Sequence, residues 1–255
     1  MTDLLLSERV DGGVLLLTIN RADRHNAVTL DMQRALDEQV RTAADDPEIR
    51  CIVLAGAGGK AFSAGYDIHE LSALDNGEHR LVTLEREELL WRWLVSPVPT
   101  VVACTGITYG VGMLLAACAD VRVGGPGTRM KVTATAYGGA NLTWLLDQLL
   151  GAAVARDMLL SSRLLDGSEA FRVGLVTRYV SDIEVVEAAV GAAREIAAND
   201  PVAVREVKRL MLAGPGRDLR ARYDEENTAM RNTLTSPSTR DRFASFFKRG
   251  PPDES

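Results

Sequence analysis

Two glycine-rich loops carry the residues of this chain that are best suited to chemistry. The first loop reads GGKAFSAGYDIHEL over residues 58–71, and the second loop reads TGITYGVG over residues 105–112. Each follows a β-branched run and precedes a short helical segment. Backbone N–H groups at a helix N-terminus have no partner inside the helix, and they stabilise negative charge. The pattern predicts two consecutive turns of one scaffold that bring free N–H groups together.

The polar side chains that accompany these loops are mostly neutral. The segment 135–145 contains no carboxylate. We interpret Asn141, Tyr137, Thr133 and Tyr66 as side chains that orient a substrate carboxylate, a hydroxyl or a water. An alternative stays open for two of them, with Tyr137 as a core residue and Asn141 as a helix N-cap. The three histidines lack the spacing of metal ligands, so we predict no metal site.

Length and composition restrict the classes of protein to consider. The 255 residues, 46% of them apolar, suffice for one large domain or a domain with an appendage. The net charge of −6 comes without a basic stripe, so we expect no nucleic-acid partner. The absence of a basic leader and of a long apolar run leads us to expect a cytoplasmic protein without a membrane anchor. Three cysteines in apolar segments, without CxxC spacing, are interpreted as buried, reduced thiols.

Hydrophobic patterns predict an α/β core for the first part of the chain. Apolar runs at residues 4–10 and 14–20 flank Asp-Gly-Gly and predict an antiparallel hairpin. Apolar residues four apart predict a helix that starts after Thr29 and ends at Asp-Asp-Pro. Further strands are predicted at residues 51–55, 121–123, 129–133 and 176–180, and in the β-branched run that begins at Thr100.

Helical periodicity dominates from about Leu142 to the C-terminus. Breaker segments containing proline or glycine separate the successive apolar stretches. We predict a core domain over residues 1–195 and a helical C-terminal segment over residues 196–255. The predicted helices are at 182–198, 201–213, 218–235 and 237–248.

The first loop resembles the signature loop of the crotonase (enoyl-CoA hydratase/isomerase) superfamily. The match lies at Phe62, Ala64, Gly65, Asp67 and Ile68. The resemblance implies a spiral of ββα turns followed by C-terminal helices that assemble a homotrimer, often as a dimer of trimers. Other segments resemble the family in the same order along nearly the whole chain, namely Asn20-Arg21 with Asn26-Ala27, Ser96 to Ala103, Leu159 to Val176, and Phe246 to Arg249.

The resemblance also implies a binding site for an acyl-CoA thioester. In the family, two backbone N–H groups form an oxyanion hole for the thioester oxygen, and here they fall on Tyr66 and Val111. Val111 stands where the family has a glycine, yet it keeps its N–H. No cofactor is implied beyond the CoA moiety of the substrate. The residues implied to contact CoA are Arg24, His25, Ala64, Gly65, Asp67, Ile68, His69 and Lys248, of which Arg24 and Lys248 would meet phosphates.

The chain departs from the family at the two glutamates of its hydratases. An ungapped comparison puts Leu114 and Ala134 at those positions. Hydration requires groups that activate water and handle the α-proton, which leucine and alanine cannot do. The stretch FSAGYDIHEL is also similar to methylmalonyl-CoA decarboxylases, which likewise lack both glutamates. We therefore expect decarboxylation of a malonyl-type acyl-CoA, because loss of CO2 yields the enolate without a base.

Other classes of function stay open from the sequence. The protein is alternatively a non-catalytic acyl-CoA binder that kept the site and lost the acids. It is also consistent with a divergent hydratase or isomerase of secondary metabolism, or with a tailoring enzyme that acts on a carrier-protein or aromatic thioester. The acyl group depends on the shape of its pocket, which we expect the helix near residues 78–95 and the 135–145 loop to form.

Overall fold

The computed structural model describes residues 4–232 and divides the chain into two units, which meet in sequence between Asn199 and Asp200. This division lies four residues beyond the predicted boundary after residue 195. The helix predicted at 237–248 lies outside the described residues, and so does Lys248.

The first unit opens with the predicted hairpin. Strand β1 (Leu5–Val10) pairs with β2 (Val14–Ile19) in an antiparallel ladder. Gly12 and Gly13 form the turn with φ values of 91° and 76°, in the left-handed region that glycine enters at little cost. The hairpin prediction is confirmed.

Helix α1 (Leu30–Asp45) begins directly after Thr29, as predicted, and Thr29 is its N-cap. The Thr29 hydroxyl accepts a hydrogen bond from the Met32 N–H at 3.2 Å, which satisfies one of the free donors of the first turn. Met32, Leu36 and Val40 are buried, so the stripe of apolar residues four apart faces the core.

The larger sheet grows from the hairpin by parallel pairing. Strands β3 (Cys51–Gly56), β5 (Thr100–Cys104), β7 (Val121–Gly124) and β10 (Arg178–Tyr179) follow one another in space, which gives the order β1-β2-β3-β5-β7-β10. The predicted strand at 176–180 is reduced to the two residues of β10.

A smaller sheet takes one strand from each successive turn of the chain. It consists of β4 (Ala61–Ser63), β6 (Ile107–Tyr109), β8 (Arg129–Lys131) and β9 (Leu165–Asp166), in that order. Strand β8 ends before the predicted residue 133 because a short 3-10 helix follows at Ala134–Tyr137. A strand in the larger sheet, a strand in the smaller sheet and then helical structure recur along the chain, which confirms the expected spiral.

Both faces of the larger sheet are covered. Along β3, Ile52 and Leu54 face one apolar core, whereas Cys51 and Val53 face a second core that includes helix α8 (Val185–Ala197). All six residues of β3 are buried. This two-sided burial explains why the strand is a continuous apolar run without polar alternation.

Three helices of the first unit lie next to the two loops. Helix α2 (Ile68–Ser72) and helix α4 (Val111–Ala117) start directly after the first and second loops, as predicted. Helix α3 (Asn76–Val95) follows α2 and ends before Pro97. The later helices of this unit are α5 (Leu146–Leu150), α6 (Ala152–Ser161) and α7 (Gly167–Arg172).

The start of helical structure after the smaller sheet differs from the prediction. Leu142 has a φ of 59°, which is outside the helical region, and α5 begins only at Leu146. The helix therefore starts four residues later than the predicted start at about Leu142. Asn141 is therefore not a helix N-cap, and this alternative is removed.

The second unit contains two described helices. Helix α9 (Pro201–Ala213) matches the predicted range, and α10 (Leu219–Asn232) covers most of the helix predicted at 218–235. Arg209 of α9 binds Glu206 on its own helix and Glu225 on α10, so the two helices are joined by an ionic network. Within residues 4–232, no helix combines the length and apolar character required to cross a membrane.

Candidate active site

The two glycine-rich loops approach each other at Gly65 and Gly110. Both residues have positive φ, 111° and 52°. A Cβ on Gly110 would lie only 3.2 Å from the Cα of Gly65, and a Cβ on Gly65 would lie 3.5 Å from the Tyr109 carbonyl oxygen. Positive φ favours glycine at both positions, and at Gly110 the close approach of the Gly65 backbone adds to this preference.

Two backbone N–H groups are left free where the loops meet. On the first loop, Val28 donates to the Gly65 carbonyl at 2.8 Å and Asp67 donates to the Val28 carbonyl at 2.9 Å. The N–H of Tyr66 lies between these bonds, and the N–H of Val111 opens helix α4. Neither has an acceptor among residues 4–232. Two such donors on adjoining loops suit an oxygen that becomes negatively charged.

Asp67 holds the first loop in this conformation. Its carboxylate accepts from the N–H groups of His69 at 3.0 Å and Glu70 at 3.4 Å, and so caps α2. It also forms an ion pair with Arg21 at 2.7 Å. The hydrogen bond from Arg21, together with the two backbone N–H groups, keeps the pKa of Asp67 below its usual value. These contacts support a bracing role for Asp67.

A buried asparagine ties the chain before α1 to the first loop. The Asn26 amide donates to the carbonyls of Ala57 at 2.9 Å and Ala61 at 2.7 Å, while its side-chain oxygen accepts from the Arg21 N–H at 3.0 Å. The asparagine that the sequence singled out only by resemblance is thus an organising residue of the loop.

The valine at the second loop is accommodated by the core. Val111 is buried and its side chain belongs to the larger apolar cluster. The extra bulk relative to glycine is therefore absorbed by packing, and its N–H still opens α4. Thr133 lies beside this loop, since a Cβ on Gly110 would be 3.6 Å from the Thr133 hydroxyl oxygen.

The phenol of Tyr66 is unsuited to proton transfer. Its hydroxyl donates to the side-chain oxygen of the buried Gln33. Burial raises the pKa of Tyr66 well above its usual value; the positive charge of Arg86 opposes this rise and Glu85 adds to it. The phenol stays protonated, and the functional group that Tyr66 offers to the site is its backbone N–H.

A cavity of about 330 Å³, the α3–α4 cavity, lies against helix α4, which follows the second loop. Leu114, one helical turn beyond Val111, is part of its wall. The helix near 78–95 and the 135–145 loop do shape this cavity, as expected from the sequence. Its walls are Arg86, Glu87, Leu90 and Trp91 from α3, Leu114 and Cys118 from α4, and residues 140–144.

The α4 wall of this cavity has no group that moves protons at neutral pH. Leu114 is apolar, and burial raises the pKa of the Cys118 thiol to about 12. Ala134, the other position discussed from the sequence, is half-buried against the core. The one carboxylate among the described lining residues is Glu87, whose side chain is 60% exposed.

Two charged residues of the cavity escaped the sequence analysis. Arg86 and Glu87 lie in the segment Glu-Arg-Glu-Glu of α3, which by itself has the composition of a solvent-exposed helix face. Only the packing of α3 against α4 and residues 140–144 identifies them. Asn141, by contrast, was singled out from the sequence and lines the cavity.

A second cavity, of about 460 Å³, lies between α1 and α3. Its walls are mainly charged side chains that pair with one another, such as Arg34 with Glu85 and Arg92 with Asp37. An acyl chain would find little apolar surface there, so the α3–α4 cavity is the better candidate for it.

The remaining candidates for catalysis and CoA contact are mostly at the surface. Tyr137 is 86% exposed, so it is not a core residue. Arg24 is 63% exposed and pairs only with Asp23, at 3.7 Å, among the described residues. The carbonyl of His25 accepts from the Ala64 N–H at 3.0 Å, which links two predicted CoA contacts. Ala64, Ile68 and His69 are exposed, whereas Gly65 is buried.

Comparison with known proteins agrees with this geometry. A family model described as Enoyl-CoA hydratase/isomerase matches residues 9–253. The chain is similar to the probable enoyl-CoA hydratase EchA14 of Mycobacterium tuberculosis, with 38% identity over 78% of this chain and 76% of the relative. It is also similar to the short-chain-enoyl-CoA hydratase of Clostridium acetobutylicum, with 27% identity over 94% of this chain and 93% of the relative.

Solved structures give the same result for the fold. The crystal structure of an enoyl-CoA hydratase from Bacillus anthracis superimposes with a TM-score of 0.91 at 26% identity, over 98% of both chains. The sequence match spans nearly the whole chain and the spiral of strands is shared. The chain therefore belongs to the enoyl-CoA hydratase/isomerase family.

Proposed function

We propose that the protein stabilises the enolate of an acyl-CoA thioester with the N–H groups of Tyr66 and Val111, and that it decarboxylates a malonyl-type acyl-CoA. One observation carries the proposal: the two adjoining loops hold free N–H donors, and Leu114, one helical turn beyond Val111, gives the α4 wall of the cavity no proton-transfer group. Such a site is complete for an anion and incomplete for hydration.

Decarboxylation requires only the parts that are present. The bond between the α-carbon and the carboxylate breaks, CO2 leaves, and the electron pair moves into the thioester, so that its oxygen becomes an enolate oxygen. That oxygen accepts hydrogen bonds from the two N–H groups. Removing one donor of this kind typically raises the activation barrier by about 2.7–4 kcal/mol. The α-carbon then takes a proton from water, and the product is the shortened thioester.

The CoA moiety is proposed to lie along the exposed side of the first loop. The backbone of residues 64–69 would meet the adenine end, and Arg24 would meet a phosphate. Its ion pair with Asp23 is solvent-exposed and 3.7 Å long, so it competes weakly with a phosphate. Lys248 belongs to the same proposal by resemblance.

A second candidate function rests on Glu87. This carboxylate lines the α3–α4 cavity, and a single acid can carry a proton between two carbons of an unsaturated acyl chain. The named hydratases among the relatives favour chemistry on enoyl thioesters. Isomerisation, or an unusual hydration with Glu87 as the one acid, is therefore the alternative.

Turnover and binding of a thioester panel test the proposal. The purified protein is incubated with malonyl-, methylmalonyl-, crotonyl- and long-chain acyl-CoA, and both product formation and thermal shift are recorded. We expect release of CO2 from the malonyl-type substrates and negligible hydration of crotonyl-CoA.

Three results would overturn the proposal in different ways. Robust hydration of crotonyl-CoA would identify another acid and favour the second candidate. A thermal shift without any turnover would indicate a non-catalytic binder. Absence of any shift at millimolar ligand would contradict acyl-CoA binding itself.

A further inference from the structure

One cation of the α3–α4 cavity lacks a matching anion. The side chain of Arg86 is 21% exposed, and its Nε atom is buried with no hydrogen-bond acceptor among residues 4–232. Its one described ionic contact is Glu87, 3.9 Å away on the same helix, whose own side chain is largely in solvent. A guanidinium in such surroundings is poorly compensated, because burial weakens hydration and leaves a donor unsatisfied.

The neighbouring residues do not neutralise the positive charge of Arg86. Glu85, the nearest other carboxylate on α3, is engaged by Arg34 at 3.1 Å. The α4 side of the cavity presents Leu114 and a Cys118 thiol, both neutral. Residues 140–144 also carry no charge, so Arg86 and Glu87 are the charged residues of the described wall.

The position of Arg86 relates it to the oxyanion donors. Arg86 lines the α3–α4 cavity, and its charge opposes the rise that burial causes in the pKa of Tyr66. Leu114, on the opposite wall, is one turn beyond Val111. An acyl group that passes Leu114 into the cavity, as the proposed function requires, would meet the guanidinium of Arg86.

We propose that Arg86 determines substrate specificity by binding a carboxylate on the acyl group, so that the cavity selects acyl-CoA thioesters that carry an acid over those that do not. The planar guanidinium fork matches a carboxylate, and the Asn141 amide on the facing loop can donate to it as well. This inference rests on the proposed binding of an acyl-CoA in the α3–α4 cavity.

The chemistry predicts a particular kinetic signature for this residue. An ion pair with the substrate carboxylate exists before CO2 leaves and is lost when it leaves. Such an interaction strengthens binding of the ground state and does not lower the barrier from the bound state. Arg86 should therefore govern KM, with kcat unchanged or raised when the guanidinium is removed.

Matched thioesters test the inference on the native protein. Malonyl-CoA is compared with acetyl-CoA, and methylmalonyl-CoA with propionyl-CoA, because each pair differs only in the carboxylate. Dissociation constants are measured by calorimetry, with KM in place of Kd for any thioester that is turned over. We expect the carboxylated member of each pair to bind about 10- to 100-fold more tightly, the range of a hydrogen-bonded charge.

Variants of α3 then assign the preference to Arg86. In Arg86→Gln, the ratio of the two dissociation constants within each pair should fall close to one. The KM for malonyl-CoA should rise about 10- to 100-fold, without a fall in kcat. Arg86→Lys should retain part of the preference, because it keeps the charge and loses the fork. Arg80→Gln is the matched control, since it removes an exposed cation of the same helix and should leave the native ratio.

The outcomes separate this inference from the proposed function. If no CoA thioester binds, the proposed function fails and the inference fails with it. If thioesters bind and the native protein binds both members of each pair about equally, only the role of Arg86 is overturned. The native comparison holds even where Arg86→Gln does not fold. A fall in kcat at unchanged KM would also contradict the inference.

Discussion

The two halves of the candidate site differ in the groups that form them, which are backbone N–H groups in one half and side chains in the other. The oxyanion half consists of backbone N–H groups at Tyr66 and Val111, held by loops that meet at Gly65 and Gly110. The other half, the α3–α4 cavity, consists of side chains from two helices and the segment 140–144. The backbone half needs no particular side chain at Tyr66 or Val111, whereas the cavity has no function apart from its side chains.

This difference separates what the chain shares with its family from what distinguishes it. A backbone donor persists when valine replaces glycine, provided that the core absorbs the side chain, as it does for Val111. A proton-transfer group does not persist when its side chain is replaced by leucine. The family is thus recognised in the backbone half, and under the proposed function the side chains of the cavity select the reaction and the acyl group.

The largest effect is expected from a change in the backbone half, Gly110→Ala. The new Cβ would lie 3.2 Å from the Gly65 Cα, at a φ of 52° that alanine tolerates poorly. Displacement of one N–H donor should lower kcat for whichever thioester is turned over by about 10²–10³-fold. Steady-state kinetics, with circular dichroism as a check of folding, measure this effect.

Gly174→Ala serves as the control for Gly110→Ala. Gly174 also has a positive φ, 84°, but no atom would lie within 4 Å of its Cβ. This variant should lose about 1–2 kcal/mol of stability and retain native kcat. Equal losses of activity in both variants would show that strain alone, and not the oxyanion geometry, affects turnover.

A smaller effect is expected from a change in the cavity half, Leu114→Glu. A carboxylate on the cavity wall should create hydration of crotonyl-CoA, because a general acid–base group contributes about 10²–10⁴-fold. We expect the increase in hydration rate to lie near the lower end of this range. Burial raises the pKa of a new carboxyl group, and an ion pair with Arg86 would hold the carboxylate away from the substrate. Addition of Ala134→Glu should raise the rate further, because the two acids have complementary roles.

Leu114→Gln is the matched control, with nearly the same shape and no acid. Hydration is followed by the loss of the enoyl-thioester absorbance. An increase with glutamine equal to that with glutamate would exclude acid–base chemistry as its cause. Strong hydration by the unmodified protein would refute the contrast between the two halves.

The smallest effect is expected at the brace of the first loop, Asp67→Asn. Asparagine still caps α2 but loses the ion pair with Arg21, so the free energy of unfolding at pH 7 should fall by about 1–2 kcal/mol. The pKa of Asp67 is lowered in the folded state, so its contribution is complete above the unfolded value near 4 and disappears as the pH falls through the folded value.

Denaturant unfolding from pH 7 down to pH 3 measures this dependence. The difference between the native protein and Asp67→Asn should begin to narrow as the pH falls below the unfolded pKa near 4, because the unfolded chain then takes up a proton at Asp67 before the folded protein does. Asp67→Ala, which also removes the cap, should cost about 1 kcal/mol more. A constant difference across this pH range would show that Asp67 acts through its shape and not through its charge.

The elements that the sequence predicted well are those with local signals. The hairpin at Gly12-Gly13, the start of helix α1 after Thr29 and the glycine loops that lead into α2 and α4 are each specified by residues close in the chain. The prediction failed at Leu142, because its positive φ is imposed by packing and is not favoured by leucine. Strand β10 was shortened for the same kind of reason, since its extent depends on the neighbouring strand β7.

By itself, the sequence determined the α/β core and the two glycine loops, because glycine positions and apolar periodicity act over short distances along the chain. The spiral and the N–H groups of Tyr66 and Val111 came from the resemblance of those loops to the family. Tertiary structure alone decided the contents of the cavity. Arg86 and Glu87 lie in a polar stretch of α3 that is typical of a solvent-exposed helix, and they line the site only because α4 and residues 140–144 pack opposite that face. The sequence of a helix does not specify which segments will pack against it, so the charges that line a cavity are identified only in the folded chain.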